Sequence, residues 1–262
     1  MVSLMNKNLP QLHHISGSDI ADQSLDEIST KRKSRIVSRF LSPALQFWLK
    51  SQLEQVEQLK VHIEGGDRQI ITGQIPRVSL AASNVIFRGL HLTEVKLSAT
   101  GIRINIGQII RGKKLKILES FPIFCQIKCL QSDFNSSIKS GLLSQAIVDF
   151  LTPLLQSDFI ECLEKPIRLY DQKAEIFTGH LSLFANFMSK FDEKIPINLH
   201  TSLKLATSCK LLLENFEFQV LQKSNYDLSN TIKVDLGSDV KLQELTLESG
   251  QLICQGSLIV KS

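Results

Sequence analysis

From Leu59 onward most of the chain alternates apolar and polar residues with a period of two, and this alternation restricts the fold more than any other feature. Leu59, Val61 and Ile63 fall on one side and Lys60, His62 and Glu64 on the other, and Gly65-Gly66-Asp67 then supplies a hairpin turn. The pattern continues through Ile71, Val78, Leu80, Val85, Phe87, Leu90, Leu92, Val95 and Leu97 to Ile102, Ile104 and Ile106. A further extended segment, Leu115 to Cys129, places Phe121, Ile123, Cys125, Ile127 and Cys129 on one face. Alternation returns at Leu181, Leu183, Ala185 and Phe187, at Ile195 to Leu205, at Leu211 and Leu213, and at Leu252 to Val260. Strands with one apolar and one polar face belong to antiparallel sheet covered on one side, since a parallel sheet buries both faces.

Two stretches have the helical period instead. Ile36, Val37, Phe40, Leu41, Leu45, Trp48, Leu49, Leu53 and Val56 recur at steps of three and four. Ser42 is a suitable N-cap and Pro43 suits a first turn, so a helix is predicted from about Pro43 to Gln58, preceded by a shorter basic turn. A second helix is predicted from Ser132 or Asp133 to about Leu155, carrying Phe134, Ile138, Leu142, Ile147, Leu151 and Leu154, with Pro153 near its end. The expected class is α+β, in the order helix, strands, helix, strands. Ser83 to Leu92 also echoes Ser238 to Leu247 as S-[ND]-V-x-[FL]-x-x-L-x-L, which fits two pseudo-repeated halves or a chance likeness of alternating strands.

Composition sets the outer limits. Hydrophobic residues make up 43% and charged residues 21% of the 262, enough for a sizeable core and against wholesale disorder. Residues 1–33 show no sustained period and are expected to form a disordered arm, leaving 34–262 as one domain. The net charge of +4 is unevenly spread. Lys31, Arg32, Lys33, Arg35, Arg39 and Lys50 cluster without an acidic residue, as do Arg103, Arg111, Lys113, Lys114 and Lys116, whereas the chain from Leu211 is acidic on balance. No uncharged apolar run reaches about 18 residues, so a spanning helix is not expected. The first residues lack the features of a secretory signal, so the expected location is cytoplasmic or at a membrane periphery.

Motifs for catalysis are sparse. Gly107 to Lys114 fits G-x-x-x-x-G-K but has Lys114 where a magnesium-binding Ser or Thr belongs, and extended sequence follows where a phosphate loop needs a helix. A basic turn between strands is the simpler reading. No pair among His13, His14, His62, His91, His180 and His200 has metal-hydrolase spacing on a helix. Cys125 and Cys129, four apart on a strand, lie roughly 13 Å from each other and cannot share a zinc ion. With Cys162, Cys209 and Cys254 they read as reduced core residues. No metal, no cofactor and no enzymatic activity are expected.

Arg32, Arg35 and Arg39 fall within about one third of a helical wheel, with Ile36, Val37, Phe40 and Leu41 opposite. Such a segment fits the surface of an anionic bilayer, and it equally fits a solvated face over a core. Aromatic residues are too few on the strands for base stacking, which argues against nucleic acid.

The C-terminal run from Leu236 to Gly256 carries Asp239-Val240, Leu245-x-Leu247 and Gly250-x-Leu252-x-x-x-Gly256. In these elements it resembles the terminal signature of the LmeA-like phospholipid-binding family, a bacterial group long catalogued as a domain of unknown function, and its overall shape is similar to what a cyanobacterial member would show. The resemblance extends from about Ser34 to Ser262 and includes the first helix, the segment Gly65 to Gly73 and Asp133-Phe134-Asn135. It implies a lipid-binding or lipid-transfer module, with a long curved antiparallel sheet, like a half-barrel, wrapping two amphipathic helices around an apolar tunnel. The family supplies no catalytic set. On this reading Leu45, Trp48, Leu49, Ile138, Leu142 and Ile147 are candidates for the lipid tail pocket, and Arg32, Lys33, Arg35 and Arg39 for the headgroup or membrane surface. The alternative is a structural or protein-interaction domain with a dry core, recruiting a partner through the N-terminal arm.

Overall fold

Two antiparallel sheets carry the fold in the computed structural model, which describes residues 41–109, 111–220, 224–226 and 231–261. The chain divides between Ser34 and Arg35 into two units, and everything described lies in the second. The predicted arm, the basic turn before Pro43, and Arg32, Lys33, Arg35 and Arg39 lie outside the described residues. The first sheet contains β1 (Gln58–Glu64), β2 (Gln74–Phe87), β3 (Leu90–Arg103), β4 (Phe121–Leu130), β11 (Val240–Glu248) and β12 (Gln251–Val260), in the order β1-β2-β3-β4-β12-β11. The second contains β5 (Tyr170–Phe177), β6 (His180–Met188), β7 (Lys194–Thr207), β8 (Lys210–Val220), β9 (Ser224–Tyr226) and β10 (Ile232–Asp235), in the order β10-β8-β7-β6-β5, with β9 beside β8. Both paths are open, so the single long sheet of the sequence reading is replaced by two. Hydrogen bonds from Gly179 N to Leu247 O (3.0 Å) and from Gly250 N to Ile176 O (2.9 Å) join their edges.

The strands are longer than the alternation suggests, because the alternation slips within them. On β2 the inward positions run Ile75, Val78, Leu80, Ala82, Val85, and on β3 they run Leu92, Val95, Leu97, Ala99, Ile102, with three-residue steps near each end. Asn84 (φ 48°) and Gly101 (φ 66°) adopt left-handed backbone there, which turns the following side chains over without breaking the pairing. Gly65 to Asp67 does not form a tight turn. It leads into a short helix, α2 (Asp67–Ile71), and Ile71, expected in a strand, ends that helix 55% exposed. Ile106, also expected in a strand, opens another short helix, α3 (Ile106–Ile109).

Both predicted long helices are shorter. The first, α1, spans Ser42–Gln52, with Leu41 as N-cap, no side-chain cap from Ser42 and Pro43 in the first turn. It stops at Leu53, where the backbone becomes extended, because Leu53 and Val56 leave the helix to cover Ala82, Val85 and Val95 on the sheet. The second is broken into α4 (Gln131–Ser137) and α5 (Gly141–Leu151), then a 3₁₀ turn (Thr152–Leu154) holding Pro153 and a further helix α6 (Ser157–Cys162). Ser140 makes the break: its backbone is extended, and its hydroxyl accepts from Leu143 N at 3.2 Å as an N-cap. The echo between Ser83–Leu92 and Ser238–Leu247 sets a stretch that crosses the β2–β3 turn beside one that starts in a turn and continues along β11, so the two stretches fall on different elements.

The apolar faces form separate cores. The second sheet packs Leu183, Phe187, Ile197 and Phe218 against Ile138, Val148 and Leu151 of the α4–α5 region. The first sheet packs Ile63, Ile75, Ala99, Ile102 and Phe121 against Leu41 and Leu45. β12 pairs with β4 over ten residues, from Gln251↔Leu130 to Val260↔Phe121, and so places the C-terminal strand inside the first sheet. Gly256 sits where β11 bulges between Leu242 and Glu244, and a Cβ there would stand 2.5 Å from Lys241 O and 2.9 Å from Leu242 Cα.

The cysteines are all unpaired, and the expectation that all are core residues holds for some only: Cys125 and Cys129 are buried, Cys209 and Cys254 half-buried, and Cys162 is exposed at the end of α6. Burial, reinforced by Asp133, pushes the Cys129 thiol up to about 12, and burial with neighbouring Cys125 pushes Cys254 up to about 11.

Gly256→Ala is expected to lower stability by about 1–3 kcal/mol, read as a fall in the urea midpoint, because backbone must move to admit the methyl. A thiol reagent applied to the native protein at neutral pH should label Cys162 first and leave Cys125 and Cys129 until unfolding. An unfolded thiol ionises near 9.0 while folded Cys129 keeps its proton to about 12. This contribution to stability is therefore complete below pH 9 and declines as pH rises towards 12, which alkaline unfolding curves of Cys129→Ala against the parent protein should show.

Candidate functional site

The apolar face of the first sheet is covered by α1, and the cover is incomplete. Leu45, Trp48 and Leu49 project from α1 towards Val78, Leu80, Leu97 and Ala99 on β2 and β3, and an apolar cavity of about 200 Å³ remains between them. Leu115 and Ile117, from the segment between α3 and β4, line its side, and every lining residue is apolar. The volume exceeds the roughly 150 Å³ of an engineered hydrophobic cavity that stays dry and admits benzene. With no polar group inside, such a space accepts hydrocarbon and disfavours water.

Three of the six residues expected to line a tail pocket, Leu45, Trp48 and Leu49, meet here. The other three do not. Ile138 is wholly buried in the core of the second sheet, Ile147 packs against that same core, and Leu142 is 49% exposed. Helical spacing shows that a face is apolar, but not which sheet it covers. Leu115 and Ile117 were legible only as part of an extended segment.

Trp48 and Leu115 also line a neighbouring hollow of about 470 Å³, with Phe47, Ser51, Gln52, Lys113 and Lys114 around it. The turn carrying the lysines is fixed by Asn105, which is buried. The Asn105 side-chain amide donates to Lys114 O (3.0 Å) and to Gln108 Oε1 (3.1 Å), and its Oδ1 accepts from Lys116 N (2.7 Å). Asn105 N donates in turn to Lys116 O (3.2 Å). The Gly107–Lys114 motif thus forms a stapled basic turn: Gly107 lies inside α3, and Ile117 bridges to Ile104 in extended conformation, where a phosphate loop would begin a helix.

Elsewhere, Ser182 Oγ lies 2.7 Å from His200 Nδ1, and Glu217 stands opposite His200 in the strand register. This grouping on the polar face of the second sheet was not foreseen, since it joins residues from three strands. Ser182 and His200 are register partners in mid-sheet, where backbone N–H groups serve the strand ladder and are not available to stabilise an oxyanion. Among the described residues, no group of three or more His, Cys, Asp or Glu side chains is arranged to hold a metal ion, and no helix is long and apolar enough to cross a membrane.

Comparison with curated proteins and with solved structures finds no significant match. The family model described as LmeA-like phospholipid-binding matches residues 33–257. That span takes in α1, both sheets except the last three residues of β12, and every residue lining the cavity between α1 and β2–β3 except Val260. The chain belongs to the LmeA-like phospholipid-binding family.

Proposed function

We propose that this protein is a non-catalytic phospholipid-binding module that associates with membranes peripherally and takes part of one acyl chain into the cavity beneath α1. The observation that carries the reading is the wholly apolar lining of that cavity, in a chain whose family binds phospholipid. Each methylene moved from water into such a lining is worth about 0.8 kcal/mol, so five contribute about 4 kcal/mol without any polar contact. The first sheet acts in this proposal as the trough of a half-tube, with α1 as its partial cover. Transfer of lipid between membranes would follow from a chain held by shape and apolar contact alone, since no bond need be broken for it to leave.

Trp48 is the only tryptophan in the chain and lines the cavity, so it reports occupancy directly. Phospholipid with brominated acyl chains should quench its emission, and native mass spectrometry should find lipid on the purified protein. Ala99→Leu, which fills part of the cavity, should reduce both signals while leaving the thermal midpoint unchanged or higher. Absence of quenching together with absence of co-purifying lipid would rule the proposal out.

A further inference from the structure

We infer that Phe47 and the basic turn Arg111–Lys116 form a lip by which the mouth of the cavity docks on an anionic phospholipid bilayer. The inference rests on the lipid-binding reading and deepens it by assigning the face that meets the membrane.

Phe47 is 77% exposed, while the next residue, Trp48, lines the cavity. A large ring held out in water beside the entrance to an apolar space is suited to insertion below headgroups. Around the adjoining hollow stand Lys113 and Lys114, with Arg111 and Lys116 also exposed on the same turn. No acidic residue occurs from Ile104 to Leu118. The next, Glu119, is held by Arg103 at 2.7 Å, so it leaves the lip charges unopposed. Leu118, 55% exposed, adds apolar surface at the end of the segment.

Two features separate this patch from an ordinary solvated turn. The Asn105 staple fixes the turn through both side-chain and backbone hydrogen bonds, so the cations are presented without an ordering cost at each encounter. Phe191, 83% exposed at the β6–β7 turn, stands instead among charges that cancel, Lys190 and Lys194 against Asp192 and Glu193, so it has no net basic cluster beside it. Only the Phe47 site joins an exposed ring to an unopposed basic cluster and an apolar cavity, among the described residues.

The test is co-sedimentation of the full chain with vesicles of phosphatidylglycerol and phosphatidylcholine, against vesicles of phosphatidylcholine alone. Parent protein should favour the anionic vesicles and lose that preference as salt is raised. The double variant Lys113→Ala, Lys114→Ala should lower partitioning by roughly tenfold or more, from about 1 kcal/mol per cation near the surface. Phe47→Ser should weaken it further on the same vesicles, while the thermal midpoint of each variant stays that of the parent. Partitioning of these variants equal to the parent's, or no preference of the parent for anionic vesicles, would overturn the lip. If lipid is carried but the variants dock normally, the lip fails and the lipid reading stands. If the parent docks through the lip but neither carries lipid nor shows quenching of Trp48, the lipid reading fails and the lip stands.

Discussion

A sheet with one apolar face must have that face covered, and the way each of the two sheets meets this requirement governs the rest of the molecule. The second sheet is roofed by α4, α5, the 3₁₀ turn and α6, and its core closes around the fully buried rings of Phe187 and Phe218. The first sheet is six strands wide, about 24 Å at the usual spacing, whereas α1 has 11 residues and runs about 16 Å. Leu53 and Val56 cover one end and the α2–α3 region the other. The space left over is the cavity. It results from the relative dimensions of sheet and helix, and its lining is apolar because those residues would otherwise have formed a core.

The polar features of the first sheet are concentrated where the chain must turn. Asn105 is buried with its amide groups bonded, and it sets the path from β3 through α3 to the basic segment. A buried carboxamide left unpaired is costly, so this residue specifies one loop shape over alternatives. The hydrophobic contribution of Ile104 and Ile106, on either side of it, anchors the same turn from within. Stability and presentation of charge therefore have a common origin at this point.

Much of this was legible in the sequence, for identifiable reasons. Alternation revealed the antiparallel class because side chains on a strand face opposite ways, and the helical period placed Leu45, Trp48 and Leu49 together on one stripe. β5 was missed because its inward positions include Gln172, whose amide donates to Leu169 O and Ser144 Oγ, and Ala174, so the strand shows little apolar alternation. The left-handed residues Asn84 and Gly101 disguised two long strands as several short ones. Ile138 and Ile147 lie at the core of the second sheet, apart from Trp48, because pairing of helices with sheets is decided by long-range topology, which periodicity does not encode. The basic cluster at Arg111 to Lys116 could be seen in the sequence, but its closeness to Phe47 could not.

The insertion of β12 beside β4 has a consequence for biosynthesis. Those partners are separated by more than a hundred residues, and the whole second sheet is encoded between them. On the ribosome β4 must wait with one edge unpaired while that sheet is translated and is free to fold first. Ile123, Ile127 and their neighbours are then presented on an open strand edge, a template for pairing with another chain. The rate of translation from β5 to β11 sets how long that edge stays open to pairing with another chain.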